Sequence, residues 1–124
     1  MPTMTPAELQ QLAVDKFEDP GWRSAMYILL SPVFGGESRV RRYVGPDGID
    51  FETMIAKGGF SGGETRLLLV AWSLFNGGGD VALNAVFASL GHKWAAIALE
   101  AMALFSGRTL TDFVGRRADG PPTD

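Results

Sequence analysis

Apolar residues recur every three or four positions along much of the chain, which is the spacing of helices that bury one side. The first such segment begins at Thr5-Pro6, where Thr5 suits the cap position and Pro6 the first helical position, and it ends by Asp19. A second apolar segment, residues 22–30, fits a buried helix or a strand, and we favour the helix. The beginning of the chain therefore predicts two helices.

A third helix start is recognisable in residues 58–66, Gly-Gly-Phe-Ser-Gly-Gly-Glu-Thr-Arg. Ser61 and Glu64 have the spacing of a capping box, in which each side chain accepts a hydrogen bond from the other residue's backbone amide. The apolar pattern that follows predicts a helix over 65–75. A run of glycines beginning at Gly77 is expected to end this helix with a left-handed cap.

Two further helices are expected in the second half of the chain. A short one is predicted to begin at Asp80 or Asn84 and to end by Leu90. The apolar pattern then predicts a helix over 92–105, and residues 109–117 have the composition for one or two additional helical turns.

The segment between the second and third helices is where we expect β structure. Residues 38–44 are partly β-branched, and the Gly-Pro-Asp-Gly sequence at 45–48 is a strong turn signal. Two continuations are open: residues 49–51 pair back as a hairpin, or Asp50 caps a helix over 51–57. We prefer a short strand, the turn and then the helix.

Length and composition are those of one globular domain. The chain has 124 residues, of which 46% are hydrophobic and 20% charged, and a chain of this size can sustain one core. We predict a mainly α fold, a small single-domain bundle of four to six helices over residues 1–117. It has room for a short β-hairpin near residues 38–51, and a flexible C-terminal tail is expected over 118–124.

Charge and cysteine content restrict the function. The net charge of −3 argues against a non-specific nucleic-acid binder, which needs clustered Lys and Arg. The absence of cysteine excludes disulfides, thiolate metal sites and cysteine nucleophiles. The N-terminus does not resemble a signal peptide, and the apolar stretches are shorter than the ~20 residues that cross a bilayer. We therefore expect a soluble, cytoplasmic protein with no cofactor and no membrane association.

Residues 60–64, Phe-Ser-Gly-Gly-Glu, resemble the signature motif of ABC-type ATPases. The resemblance implies that serine and glycine amides at a helix N-terminus contact a nucleotide phosphate held by a partner subunit. The chain departs from that family elsewhere, because it has no Gly-Lys pair for a Walker A loop. The capping box is the preferred interpretation. The candidate anion-binding residues are Ser61, Gly62, Gly63, Arg41 and Arg42.

Other motifs have a structural explanation beside the functional one. Residues 88–94 resemble the turn of a DNA-binding helix-turn-helix, but the helix that follows offers few polar side chains to bases. His92, the single histidine, is favoured as a surface or capping residue over a base or metal ligand. Asp47, Asp50 and Glu52 are close enough in sequence for a divalent cation, yet turn and cap chemistry explains the first two. A hydrolase site assembled from residues distant in sequence stays open.

An excess of apolar surface is the positive signal for function. The predicted helices over 65–75 and 92–105 are apolar on nearly all sides, and a small domain has room to enclose about one such helix. Either they fill one monomer core or some of their surface meets another chain. The candidate interface residues are large or aromatic: Phe75, Phe87, Trp94, Met102, Leu104 and Phe105.

The predicted function is a small non-enzymatic protein-interaction module, an accessory or adaptor protein that self-associates or docks on a protein partner. A nucleotide- or phosphate-binding protein and a nucleic-acid-binding regulator are the alternatives.

Overall fold

The computed structural model describes residues 8, 11, 15–34 and 38–108. Within them the chain is mainly helical, with six helices and one short hairpin, which confirms the predicted fold class. The helices are α1 (Pro20–Leu29), α2 (Ser38–Arg41), α3 (Phe51–Lys57), α4 (Gly62–Asn76), α5 (Leu83–Ser89) and α6 (His92–Phe105). A 3-10 turn, Pro32–Phe34, follows α1, and the antiparallel hairpin consists of β1 (Val44–Gly45) and β2 (Gly48–Ile49).

Parts of the predicted organisation fall on residues that the structure does not describe. The expected N-terminal helix has helical conformation at its described positions Glu8, Gln11, Asp15 and Lys16. Its predicted start at Thr5, the turns over 109–117 and the tail over 118–124 lie outside the described residues.

The ambiguous segment 22–30 belongs to a helix, as favoured. Asp19 caps α1, since its carboxylate accepts a hydrogen bond from the Trp22 amide at 3.0 Å, and Pro20 occupies the first turn. Gly21 then allows α1 to approach α4 closely. A Cβ atom at Gly21 would lie 2.5 Å from the carbonyl oxygen of Phe75, so no larger residue fits this crossing unless the helices move apart.

The prediction of a strand beginning at residue 38 is wrong. Residues 38–41 form α2, and β pairing is limited to Val44 with Ile49 and to the glycines at 45 and 48. Val40 is buried with 1% exposure, and this hydrophobic anchor holds α2 against the core. Both continuations after the turn coexist, because Ile49 pairs back and Asp50 then caps α3 through the Thr53 amide at 3.1 Å.

The predicted start of α5 is also wrong. The helix begins at Leu83, with Ala82 in the cap position and no side-chain cap, instead of beginning at Asp80 or Asn84. The preceding Gly79 has a left-handed φ of +65° and is packed on the Trp72 ring, so Asp80 still lies in the connection between helices. Packing of the loop on Trp72 therefore decides where α5 begins.

The core lies where α1 packs against both α4 and α6. Its large, fully buried side chains come from several elements: Ile28, Leu29, Phe34, Phe51, Met54, Leu67 and Leu68. The helices α4 and α6 match the predicted bounds closely, and Gly77 ends α4 in the left-handed conformation with φ +79°. One side of α4 and one side of α6 thus face the core.

Candidate interaction surface

Only part of α6 is enclosed. Its buried residues are mostly alanines, among them Ala98 and Ala101, and these small side chains allow α6 to lie close to α1. The opposite side is open, with His92, Lys93 and Ala96 exposed. An almost entirely apolar helix is therefore left with one uncovered face, which is unusual for a helix in a small domain.

Three large apolar side chains are exposed among the described residues. Leu83 at the start of α5 is 53% exposed, Leu99 on α6 is 43% exposed and Phe105 at the end of α6 is 45% exposed. Burial of each of these side chains in a complex would be favourable, because transfer of apolar area out of water stabilises association.

One of these side chains, Leu83, lines an apolar groove. It has a volume of about 330 Å³ and contains one polar lining residue, Ser73. Met102 forms its α6 side and stands three residues from both Leu99 and Phe105, so the three belong to one i, i+3 ridge of the helix. The remaining lining residues are Val70, Leu74, Val81 and Leu83. We call the groove together with Leu83, Leu99 and Phe105 the apolar surface.

The interface candidates from the sequence divide between this surface and the interior. Met102 and Phe105 belong to the apolar surface, whereas Leu104 is buried with 4% exposure. Phe75 packs edge-on against Trp22, with the ring centroids 5.0 Å apart, and is half-buried. Phe87 and Trp94 are half-buried side chains packed against the core.

Sequence reasoning missed Leu83 and Leu99. Periodicity alone cannot identify the uncovered side of a helix that is apolar all round, and Leu83 lies in a helix whose start was misplaced.

The junction before α4 is a capping box, as predicted. The Ser61 hydroxyl accepts a hydrogen bond from the Glu64 amide at 3.1 Å, and a Glu64 carboxylate oxygen accepts one from the Ser61 amide at 2.8 Å. Arg39 donates to the same carboxylate through both terminal nitrogens, at 2.9 and 3.4 Å. The Glu64 carboxylate therefore already lies where an anion would bind at this helix start.

Arg39 holds the pKa of Glu64 below its usual range through the hydrogen bond between them, and the Ser61 amide adds to this effect. The guanidinium also stacks over the Phe60 ring, with 4.6 Å from its carbon to the ring centroid. Phe60 in turn packs edge-on against the buried Phe34. The arginine that contacts the junction is thus Arg39, which ties α2 to the start of α4.

Arg41 and Arg42, the two arginines predicted for an anion site, are exposed. Arg42 lines a shallow depression of about 720 Å³ around the hairpin, together with Asp47 and Asp50. The hydrogen bonds seen at Ser61 are made with Glu64. The five predicted anion-binding residues are therefore not brought into one cluster by the contacts that are seen.

The junction also carries a second sequence pattern. Residues 59–63, Gly-Phe-Ser-Gly-Gly, fit the G-x-S-x-G pattern of hydrolase nucleophile elbows. An elbow serine occupies a strained turn, whereas Ser61 has an unstrained extended conformation with φ −67° and ψ 169°. Its hydroxyl accepts a hydrogen bond from the Glu64 amide. The local geometry is that of a helix cap.

A further cleft lies between the starts of α4 and α6. It has a volume of about 430 Å³ and is lined by Gly63, Trp94 and the exposed side chains of His92 and Lys93, besides Ser89 and Gly91. The Trp94 ring packs directly on Gly63, leaving no space for a Cβ atom there. Gly91 offers no side-chain cap to α6.

The acidic residues of the hairpin act as turn and cap groups. Asp50 accepts a hydrogen bond from the Thr53 amide. The pKa of its carboxyl is lowered by hydrogen bonding to Thr53, mainly to the side chain and secondly to the amide. Within the described ranges, no group of three or more His, Asp or Glu side chains is arranged to hold a metal ion. In the same part of the chain, no helix combines the length and apolarity needed to cross a membrane.

Comparison of the chain with protein-family models, with curated proteins and with solved structures gave no match.

Proposed function

We propose that this protein is a non-enzymatic protein-interaction module whose apolar surface binds an amphipathic helix of another protein chain. The observation that supports the proposal is the exposure of Leu83, Leu99 and Phe105 beside a groove that is apolar except for Ser73. Helix-in-groove recognition uses this combination, in which apolar side chains at helical spacing enter a groove between helices.

The magnitudes indicate a transient complex. Full burial of a leucine or phenylalanine side chain contributes about 1.5–3 kcal/mol. The three side chains are 53, 43 and 45% exposed, so about half of the burial free energy of each is still available for binding. The total is roughly 2–4 kcal/mol. Association itself costs at least as much. The residues that line the groove must supply the remaining binding free energy. We therefore expect a reversible complex.

The alternative of phosphate or nucleotide binding has weaker support. At the start of α4, the Glu64 carboxylate holds the Ser61 amide and the Arg39 guanidinium, so a ligand phosphate would have to displace or tolerate a negative charge. The nucleic-acid alternative has the net charge of −3 against it.

A fluorescent label in the groove tests the proposal. Because the chain contains no cysteine, Ser73→Cys creates one unique attachment point for an environment-sensitive dye. The probe is a synthetic amphipathic peptide as long as α6 with apolar residues at helical spacing. We expect saturable binding, weakened about five-fold by Leu83→Gln, which corresponds to about 1 kcal/mol of lost burial.

Two controls accompany this measurement. A peptide of the same composition in scrambled order should not bind, and a dye placed at the hairpin by Asp47→Cys should not respond to the amphipathic peptide. Equal binding of the scrambled peptide, or an equal response at position 47, would mean that the surface is not a specific docking site.

A further inference from the structure

Helix α6 ends in a left-handed turn that redirects the chain. Gly107 has a φ of +80°, and its amide donates a hydrogen bond to the Leu104 carbonyl at 2.9 Å. The Arg108 amide donates one to the Ala103 carbonyl at 3.1 Å. These features define a Schellman motif. Because the Arg108 amide is drawn back to a carbonyl of the last helical turn, the chain leaves α6 sideways and does not continue along its axis.

This turn lies close to the apolar groove. Ala103, which accepts the Arg108 amide, directly follows Met102, the residue that forms the α6 side of the groove. Arg108 is the last described residue and follows Met102 by six positions, which is ~9 Å along a helix axis. About three extended residues span that distance. The chain that follows Arg108 is therefore long enough to reach the groove.

The sequence after the turn has the pattern of a short amphipathic helix. Residues 109–117 read Thr-Leu-Thr-Asp-Phe-Val-Gly-Arg-Arg. The threonine at the start and the aspartate three residues later have the spacing of a capping box, and the glycine suits the end of a helix. Leu110, Phe113 and Val114 recur at i, i+3 and i+4, so a helix over these residues has one apolar face.

The length and charge of this segment suit the groove. Five helical residues span ~7.5 Å, and Val70 and Leu74 on the α4 side of the groove are ~6 Å apart along the helix axis. Two arginines, residues 116–117, follow the apolar positions. Asp80 directly precedes Val81 of the groove, is exposed and forms no ion pair with a described residue. Opposite charges thus favour the same docking.

The residues before α1 are a poorer occupant, because they enter on another side of α4. Phe17 stacks on Trp22 with the ring centroids 5.6 Å apart, and Trp22 packs against Phe75. Phe75 and the groove residue Ser73 are two positions apart on α4, and side chains at this spacing point to different sides of a helix. The chain that enters α1 therefore does not approach α4 from the groove side.

We infer that residues 109–117 of the same chain occupy the groove in the free protein, with their apolar face on Met102 and Leu83, and that a partner helix displaces them. The inference rests on the proposed function, since the segment covers the surface on which the partner docks. Docking of so short a segment is reversible, because the burial of a few side chains is offset by the conformational entropy lost in ordering the segment.

The environment-sensitive dye at Ser73→Cys, in the full chain, tests the inference. Leu110→Gln combined with Phe113→Gln should shift the dye emission to the red, because water then reaches the groove. The same double variant should bind the amphipathic peptide about three-fold more tightly, which corresponds to a groove that its own segment fills in about two thirds of the molecules. Thr111→Gln, an exchange outside the apolar face, is the matched control and should change neither quantity.

Two further measurements accompany the dye experiment. Urea denaturation followed by circular dichroism confirms that each variant keeps the folded core. The emission is also recorded over a range of protein concentrations, and docking within one chain requires that it stay constant. An emission that shifts to the blue only as the concentration rises would mean that a second copy supplies the segment, and would overturn docking within one chain.

The outcomes separate this inference from the proposed function. Equal emission and equal peptide affinity with and without the Leu110→Gln and Phe113→Gln exchanges would overturn the inference, while the peptide binding itself would leave the docking surface in place. An equal red shift for Thr111→Gln would overturn docking through the apolar face. A red shift of the double variant without any peptide binding would support the inference and overturn the proposed function.

Discussion

At the scale of single residues, two serines stand out in the interior. Ser24 and Ser31 are completely buried, and neither hydroxyl finds a hydrogen-bond partner within the described part of the chain. A buried hydroxyl without a partner loses its hydrogen bonds to water and regains none, which costs about 1–3 kcal/mol. Ser24 lies on the buried side of α1, three residues after the buried Gly21.

We expect Ser24→Ala to raise the free energy of unfolding by about 1 kcal/mol, because alanine keeps the small volume and removes the unsatisfied polar group. Urea denaturation followed by circular dichroism measures the change. Ser73→Ala is the control, since Ser73 is exposed on α4 and the same exchange there brings only the difference in helix propensity. A destabilised Ser24→Ala variant would show that the hydroxyl has a partner in solution.

At the scale of elements, the link between α2 and α4 has the clearest energetic consequence. Glu64 closes the capping box of α4 and also receives two hydrogen bonds from Arg39 of α2. The carboxylate is 13% exposed and the guanidinium 37%, so water screens this pair less than an ion pair on the open surface. One side chain therefore both starts a helix and fixes the helix before it.

This arrangement predicts a pH-dependent stability. The pKa of Glu64 is lower in the folded chain than its ordinary value of 4.5, mainly through the Arg39 hydrogen bond. A lowered pKa means that the contribution is complete above the ordinary value and is lost as the pH falls through the folded pKa. We expect Glu64→Gln, which retains a capping box, to lower the free energy of unfolding by about 1 kcal/mol at neutral pH. The difference should vanish in acid.

Urea denaturation of both proteins across the acidic range provides the measurement. The matched control is Glu52→Gln, a change of the same kind in the first turn of α3, at an exposed carboxylate with no ion pair among the described residues. A Glu64→Gln deficit that persists unchanged at low pH would contradict the role of the charge.

At the scale of the whole molecule, one core joins elements that are distant in sequence. Residues of α1, α3, α4, α5 and α6 contribute to the same buried cluster. The three tryptophans lie at separate places around this core. Trp22 belongs to α1, Trp72 stacks on Phe51 with the ring centroids 5.9 Å apart, and Trp94 of α6 packs on Gly63.

We expect one cooperative unfolding transition for this core. Three variants are made, each of which keeps one tryptophan and has phenylalanine in place of the other two. For each variant, the urea midpoint is measured by tryptophan fluorescence and by circular dichroism. The ratio of the two midpoints should be the same in all three variants. Each variant is compared with its own circular dichroism curve, which corrects for stability lost through the exchanges. A Trp94 signal that changes at lower urea than the circular dichroism would show that α6 detaches first.

Local signals of the sequence account for most helix boundaries. Ser61 with Glu64, Asp50 and Gly77 each act through hydrogen bonds or backbone angles within a few residues, so the chain needs no distant contact to specify them. Local signals failed where long-range packing sets the structure. Val40 packs α2 against the core, and the connection before α5 packs on Trp72, so the predictions for α2 and α5 were wrong.

The sequence by itself therefore determined the helical class, the helix caps and the excess of apolar side chains. Only the tertiary structure decided which apolar residues remain exposed, because helices that are hydrophobic all round carry no mark of the side that meets the core. The packing of the helices buries Leu104, leaves Leu99 and Phe105 in contact with water, and places Leu83 beside Met102. The candidate surface depends on contacts between residues distant in sequence, which no local pattern encodes.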